Sequence, residues 1–315
     1  MAQNSAVQRP GVPPSHSPAT RPRKVGAMRR VVQIMFSNRK SAVGFCLFLF
    51  FVALAVLAPW IAPYSPTSTQ FAPSLHPSAQ HWFGTTAQGQ DIFSQFLYGA
   101  RSTLVVGIGA GMLATALSLL IGVTAGYRGG MTDTILNFLS NIFLVLPGLA
   151  LLILIESYVH NSTPVFNGLI IGLTGWAWGA RVFRSQTMSL AHRDFVTAAK
   201  LTGASDLRVM VMEIMPNMTS IIASNIMYAC LAAILAESGL AFLGLENVSS
   251  ISWGTMLYWS SQGDAILTGG WWWFIPPGLG IALVGLSLVL MNYAIDQLTN
   301  PRLRELPKAK KKVIW

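Results

Sequence analysis

Charged residues are scarce in this sequence. Only 10% of the 315 residues are Asp, Glu, Lys or Arg, whereas soluble domains carry roughly a quarter. Apolar residues make up 52%. This composition excludes an ordinary soluble domain and predicts an all-α polytopic membrane protein. Cysteine is also rare, and Cys46 and Cys230 both fall in apolar runs. We therefore expect buried free thiols and no disulfide framework.

The usual signatures of catalysis and nucleotide binding are missing as well. The chain has no Gly-Lys pair, so a phosphate-binding loop of the Gly-x-x-x-x-Gly-Lys type cannot form. No serine or cysteine nucleophile has a credible base at a predicted site. The histidines lack metal-ligand spacing; they are His16, His76, His81, His160 and His192. We expect no catalytic residue, no cofactor and no metal site in this chain.

Long apolar runs predict six transmembrane helices, each near the ~20 residues that a bilayer core requires. They cover residues 41–62, 100–126, 134–158, 165–184, 219–245 and 271–297. The resulting division is a basic, partly disordered tail 1–40, a first transmembrane helix 41–62, an outer segment 63–98, a transmembrane core 99–298 and a basic tail 299–315. Pro147 and the pair Pro276-Pro277 interrupt regular hydrogen bonding within two of these spans.

Basic residues give the expected orientation. Except for Arg101, they lie before residue 41, after the last span, in or beside the 185–217 loop, or at Arg128. The connections 63–98, 159–164 and 246–270 contain none. Because positive residues are retained on the cytoplasmic side, both termini and the 185–217 loop are predicted to be cytoplasmic. The net charge of +10 therefore reflects membrane topology and gives no indication of nucleic-acid binding.

The 185–217 loop is a polar island between apolar segments. Its side chains Phe195, Ala198, Ala199 and Thr202 follow helical spacing and share one face. Gly203 is expected to stop that helix, and Ser205 or Asp206 to cap a second one, which Pro216 ends. The spacing predicts two short helices around a glycine, forming a shallow surface for another protein.

This pattern resembles the EAA loop of ABC-importer permeases, the cytoplasmic segment that docks on the ATPase subunit. The resemblance implies an ATPase-coupling role for the loop, carried by Asp194, Phe195, Ala198, Ala199, Lys200, Gly203, Ala204, Ser205, Ile214, Pro216 and Asn217. One position departs from the family pattern, since Thr197 stands where a glutamate is usual. An ordinary helical hairpin is the alternative interpretation.

Further motifs resemble the second permease subunit of dipeptide and oligopeptide importers. They are the segments 81–91, 99–104, 236–245, 252–257 and 300–304, so the resemblance spans residues 40 to 304. Thr86 and Gln90 depart from it, because an Asp and an Arg are common there. The resemblance implies the type I ABC importer permease (MetI-like) fold, in a bacterial or archaeal cytoplasmic membrane.

The same resemblance implies the partners. They are membrane lipid, a homologous first permease that completes the pore, two ATPase subunits that bind ATP and Mg, and an extracytoplasmic substrate-binding protein. Di- or oligopeptides are the expected cargo. Related importers carry oligosaccharides, nickel or glutathione, and the sequence leaves these alternatives open.

Within the predicted spans, Glu237 is the residue that invites a functional interpretation, because an ionisable group in a membrane is costly. With Phe242 it is a candidate for a gate or for a contact with the partner permease, and a structural hydrogen bond is the alternative. Small-residue pairs, Gly107 with Gly111 and Gly122 with Gly126, predict close helix packing. A run of small residues from Ala229 to Gly239 fits packing or a substrate path. An ion-coupled secondary transporter and a membrane scaffold remain the competing classes.

Overall fold

A computed structural model describes residues 36, 38–159 and 163–299 of the chain. Regular structure in these ranges is helical, with a single isolated bridge between Thr85 and Asp91. In chain order the helices are α1 (Arg39–Ile61), α2 (Ile92–Arg128), α3 (Gly130–Val145), α4 (Gly148–Tyr158), α5 (Pro164–Thr174), α6 (Ala177–Ala191), α7 (Asp194–Leu201), α8 (Asp206–Arg208), α9 (Thr219–Phe242), α10 (Trp253–Gln262) and α11 (Trp271–Thr299). The predicted all-α class is confirmed. The predicted tails, 1–40 and 299–315, lie almost wholly outside the described residues.

Four helical stretches are long and apolar enough to cross a membrane, and a fifth is added if the bent pair α3 and α4 forms one span. The four are Arg39–Ile61, Ile92–Arg128, Asp206–Phe242 and Trp271–Tyr293. The chain is therefore a multi-pass membrane protein, as predicted. The predicted span 165–184 is not one helix, because it falls on α5 and the first half of α6.

The proline in the third predicted span bends the chain. Helix α3 ends at Val145, and α4 leaves at 84° to it. Leu146 between them is extended, with φ −71° and ψ 127°, as the residue before a proline prefers. By contrast, Pro276 and Pro277 lie inside α11 and do not end it.

A second break divides α5 from α6 at Gly175. The Thr174 side chain turns back to donate to the Ile170 carbonyl oxygen at 2.9 Å. From the neighbouring helix α2, Ser118 Oγ donates to the Trp176 carbonyl oxygen at 2.6 Å. These bonds hold the break against α2. Hydropathy alone could not locate it, because Leu173 before Gly175 and the residues 176–178 directly after it are all apolar.

Helix α2 is the centre of the bundle. A β-carbon placed on Gly111 would lie 2.5 Å from the backbone nitrogen of Cys230 on α9, and Gly107 abuts Ile234 of the same helix. On α6, the corresponding neighbours are the Ala180 carbonyl beside Gly122 and the Arg184 carbonyl beside Gly126. The predicted close packing is confirmed. The first glycine pair packs against α9, and the second pair packs against α6.

An aromatic core closes the end of the bundle at which α2 begins. The fully buried Trp253 of α10 stacks on Phe96 of α2 at 5.4 Å and meets Phe51 of α1 edge-on at 5.6 Å. Its indole nitrogen donates to the Phe96 carbonyl oxygen at 3.0 Å. Burial of so large an aromatic group contributes strongly to stability, so this contact fixes α1, α2 and α10 together.

The outer segment folds as loops over this end. His81 Nδ1 lies 2.9 Å from Oδ1 of Asp91, and both side chains are buried. The second Asp91 oxygen accepts from the Ser94 backbone at 2.8 Å and caps α2. Thr86 and Gln90 are the two positions that depart from the family pattern. The Thr86 backbone nitrogen donates to the Gln90 carbonyl oxygen at 2.9 Å. A neutral backbone hydrogen bond therefore joins these two positions.

The tryptophan triplet that begins α11 does not form an exposed aromatic belt. Trp272 and Trp273 are buried, and only Trp271 is exposed. His76 of the outer segment packs on Trp272 at 4.3 Å. Trp272 is therefore covered by the outer segment, while Trp273 lies against Gly263, directly after α10.

Candidate functional site

The 194–217 segment forms a helix, a tight turn and a second helical stretch at the other end of the bundle. Helix α7 spans Asp194–Leu201, and Gly203 adopts the left-handed conformation with φ +79°. Its amide nitrogen donates to the Lys200 carbonyl oxygen at 3.0 Å. The following Ser205 is extended and precedes α8, but its side chain makes no capping bond. We refer to residues 194–217 as the coupling loop.

The exposed face of the coupling loop lines an open cleft of about 460 Å³. The four side chains that sequence spacing placed on one face all lie in it. The lining residues are Phe195, Ala198, Ala199, Thr202, Gly203, Ala204, Arg208 and Glu213. Leu201 (84% exposed) and Leu207 also face outward. The cleft is thus open and lined by both apolar and polar side chains.

The opposite face of the loop is anchored in a buried core that it shares with α2 and α6. This core joins Val196, Val209, Met210, Ile214 and Met218 to Val123 of α2 and Phe183 of α6. Val196, Val209, Ile214 and Phe183 have no exposed surface. The coupling loop is therefore packed directly against both helices.

The second helical stretch differs from its prediction. After α8 the chain continues as a π-helical turn, Val209–Ile214, and a 3₁₀ turn, Met215–Met218, directly into α9. Pro216 therefore does not end the helix. It lacks an N–H, and the chain changes its hydrogen-bond spacing there without leaving the helical path. Asn217 is exposed and donates to the Glu213 carbonyl oxygen at 2.6 Å.

Polar contacts attach neighbouring segments at this end. The Tyr127 hydroxyl of α2 donates to Asp206 Oδ1 at 3.0 Å, and Lys200 Nζ lies 4.7 Å from the Tyr127 ring centroid. Arg184 of α6 binds both carboxylate oxygens of Asp133 on α3, with Nη2 at 2.6 Å from Oδ2. Such bidentate pairs are geometrically specific. Sequence analysis placed none of these partners together.

Small side chains of α9 open two adjoining cavities of about 570 and 450 Å³. Ala114 of α2, Gly175, and Ala229, Ala232 and Leu235 of α9 line both. Ala233 and Ala236 line the second. The small-residue run of α9 therefore does more than pack helices, because part of it forms the wall of an open apolar space.

Glu237 lies at the far end of α9 from the coupling loop and is fully buried. Its Oε2 accepts from Ser238 Oγ at 3.2 Å. Phe242, the other gate candidate, is 46% exposed. Both residues lie at this end of α9, away from the coupling loop, so neither shares a site with it.

Another buried acid, Glu246, was not predicted from the sequence; it follows α9 and is 3% exposed. Ser250 Oγ donates to its Oε1 at 3.3 Å. Burial, together with the charges of Glu237 and of Glu156 on α4, raises the pKa of Glu246 to about 8. Glu246 directly follows the apolar run 240–245. This position could have indicated that its side chain is buried. Among the described residues, no group of three or more His, Cys, Asp or Glu could hold a metal.

Comparison with known proteins agrees with this architecture. The model of a family described as "Binding-protein-dependent transport system inner membrane component" matches residues 118–305. A second model, "N-terminal TM domain of oligopeptide transport permease C", matches residues 26–78.

Several relatives align along most of the chain. The dipeptide transport system permease protein DppC of Bacillus subtilis is 32% identical over 272 residues, covering 85% of this chain and 83% of that protein. The oligopeptide transport system permease protein OppC of Mycobacterium tuberculosis is 31% identical over 279 residues, covering 88% and 95%. A putative peptide transport system permease protein of Brucella abortus is 32% identical over 274 residues, covering 86% and 90%.

Proposed function

The chain belongs to the family of binding-protein-dependent transport inner membrane components, and we propose that it is a permease subunit of an ATP-driven importer of di- or oligopeptides. The names of the three relatives favour peptides over oligosaccharides, nickel or glutathione. The chain itself is non-catalytic, as permease subunits of this family are. ATP and Mg bind to two partner ATPase subunits.

The observation that carries this proposal is the coupling loop. It offers an exposed cleft on one face, while its other face is buried with α2 and α6. A loop that only connected two spans would not need both a docking face and a rigid foundation. The distribution of basic residues supports a cytoplasmic position for this loop and for both termini.

Movement passes through packed helices in this mechanism. Closure of the ATPase subunits displaces α7, and the shared core carries the displacement into α2 and α6. Helix α2 contacts α9 through Gly107 and Gly111, so its shift moves the cavity wall formed by Ala229 and Ala232. Rigid elements with two packing arrangements can transmit such a change, whereas a flexible loop would absorb it.

The remaining partners are assigned to the other surfaces. The cavities along α9 are open on one side, and a homologous first permease would complete the pore there. The segments 63–98 and 246–270 form the outer surface on which a loaded substrate-binding protein docks. Glu237 and Phe242 lie at that end of α9, where a gate or a contact with the partner permease is expected.

Affinity purification followed by reconstitution tests the proposal. A tagged chain, purified from its own membranes, is expected to retain two ATPase subunits and a second permease. In vesicles the complex should take up a labelled dipeptide when ATP and the loaded binding protein are supplied. Purification as a lone chain that moves the dipeptide along an ion gradient would favour a secondary transporter and would end this proposal.

A further inference from the structure

Tyr127, the next-to-last residue of α2, contacts both helices of the coupling loop. Its hydroxyl donates to Asp206, the first residue of α8. Its ring lies beneath the ammonium group of Lys200, near the end of α7. One side chain therefore bridges the turn at Gly203, which separates the two helices.

That turn has little other support on its outer side. A β-carbon on Gly203 would meet no atom within 4 Å, and the flanking Leu201 and Leu207 are exposed. The buried core holds the inner faces of the two helical stretches, through Val196 and Val209, and Ala204 of the turn packs against it from the same side. On the outer side, the angle between α7 and α8 thus depends on backbone bonds of the turn and on the contacts that Tyr127 makes, in addition to the buried core on the inner side.

We propose that Tyr127 is a positioning residue for energy coupling. Its contacts with Asp206 and Lys200 hold α7 and α8 at a fixed angle to α2, so that a push on α7 moves α2 and is not lost by flexing at Gly203. The inference rests on the proposed function, since it assumes that α7 receives the movement of the ATPase.

The chemistry of both contacts suits this role. A hydrogen bond to a carboxylate is stronger and more directional than one between neutral groups, and a cation above an aromatic face adds attraction. Helix α2 is also the recipient that the mechanism needs. Its glycine pairs pack it against α6 and against α9, which lines the cavities.

The first test replaces Tyr127 with Phe in the reconstituted complex. This variant keeps the ring beneath Lys200 and removes the hydroxyl that binds Asp206. The ATPase subunits should stay bound, while the amount of peptide taken up per ATP hydrolysed falls between about 2-fold and 30-fold. Tyr293→Phe is the matched control, because the Tyr293 ring lies 5.0 Å from Lys40 Nζ and outside the coupling loop. Its uptake ratio should equal that of the unmodified chain.

A second pair of variants decides the question if Tyr127→Phe does not assemble. Asp206→Asn keeps an oxygen that accepts from the tyrosine and should preserve most of the uptake ratio. Asp206→Leu removes the acceptor at similar size and should lower the ratio as Tyr127→Phe does. An unchanged ratio in Asp206→Leu, or equal losses in the two Asp206 variants, would overturn the inference. Failure of the proposed function would look different, since the unmodified chain would then neither retain ATPase subunits nor support uptake.

Discussion

Gly111 of α2 lies directly against the backbone of Cys230 on α9. A β-carbon at position 111 would approach the backbone nitrogen of Cys230 to 2.5 Å and its Cα to 2.6 Å. These are backbone atoms, which cannot move aside by changing a rotamer. The contact joins α2, whose Val123 belongs to the buried core under the coupling loop, to α9, which lines the cavities.

Replacing Gly111 with Ala should therefore destabilise the chain. Overpacking of this kind costs about 1–3 kcal/mol. Gly109, two residues earlier, has no atom within 4 Å of its β-carbon position, so Gly109→Ala should be neutral or stabilising by up to about 1 kcal/mol, as helix propensity predicts. Unfolding in detergent micelles measures both variants. A shift of equal size and sign in the two would show that α2 and α9 do not pack as described.

The turn of the coupling loop should tolerate Asn and reject Val. Gly203 has φ +79° and open space around it, so only backbone conformation limits the residue. A left-handed conformation costs most L-residues about 1–2 kcal/mol, and Asn less. Gly203→Val should reduce retention of ATPase subunits and peptide uptake, while Gly203→Asn should largely keep them.

Gly269, in the loop before α11, is the matched position for this test. It has φ +75° and equally open surroundings. Gly269→Val should strain the backbone to a similar degree without loss of ATPase subunits. Equal retention by the two valine variants would contradict a docking role for the turn.

Filling the cavity along α9 should stop transport while leaving the ATPase attached. Ala232 lines both cavities, and a tryptophan there would occupy much of their volume. Ala232→Trp should reduce peptide uptake to background, with ATPase subunits still retained on purification. Val56→Trp on α1 is the control, because Val56 is 60% exposed and lies outside the cavities. Normal uptake by Ala232→Trp would show that these cavities are not on the substrate path.

Glu246 should make stability depend on pH. Burial and neighbouring acids raise its pKa from 4.5 to about 8, so the folded chain keeps a proton that the unfolded chain releases. The free energy of unfolding should therefore fall as pH rises from 4.5 to 8, by up to about 1.4 kcal/mol per pH unit for one proton. Glu246→Gln should flatten this slope, measured by unfolding at a series of pH values. A slope unchanged by Glu246→Gln would contradict this burial.

Local chemistry explains what the sequence could predict about the coupling loop. Helical spacing from Phe195 to Thr202 and the glycine after it determine a short helix and its stop, whatever surrounds them. The same holds for α1, α9 and α11, whose bounds lie close to the predicted spans, whereas α2 begins at Ile92, well before the predicted span 100–126. The bend at Pro147 was also visible, because a proline restricts its own backbone and that of the residue before it.

Other features depend on contacts between distant segments and could not be predicted. The break at Gly175 is held by Ser118 of α2, and the Tyr127 contact joins residues 79 positions apart. Trp272 is buried because the outer segment covers it, although its sequence position is typical of a membrane interface. The burial of Glu246 likewise arises from the way the chain returns after α9.

Site-specific photocrosslinking tests the central claim, that the coupling loop meets the ATPase on the cytoplasmic side, most directly. Leu201 of α7 and Leu267 in the loop before α11 are both 84% exposed, so a photoreactive residue at either position is equally free to react. In whole cells the probe at position 201 should form adducts with the ATPase subunits, and the probe at 267 with the extracytoplasmic binding protein. If position 201 instead reacted with the binding protein, or with a reagent that cannot enter the cell, both the orientation and the coupling role of the loop would be wrong.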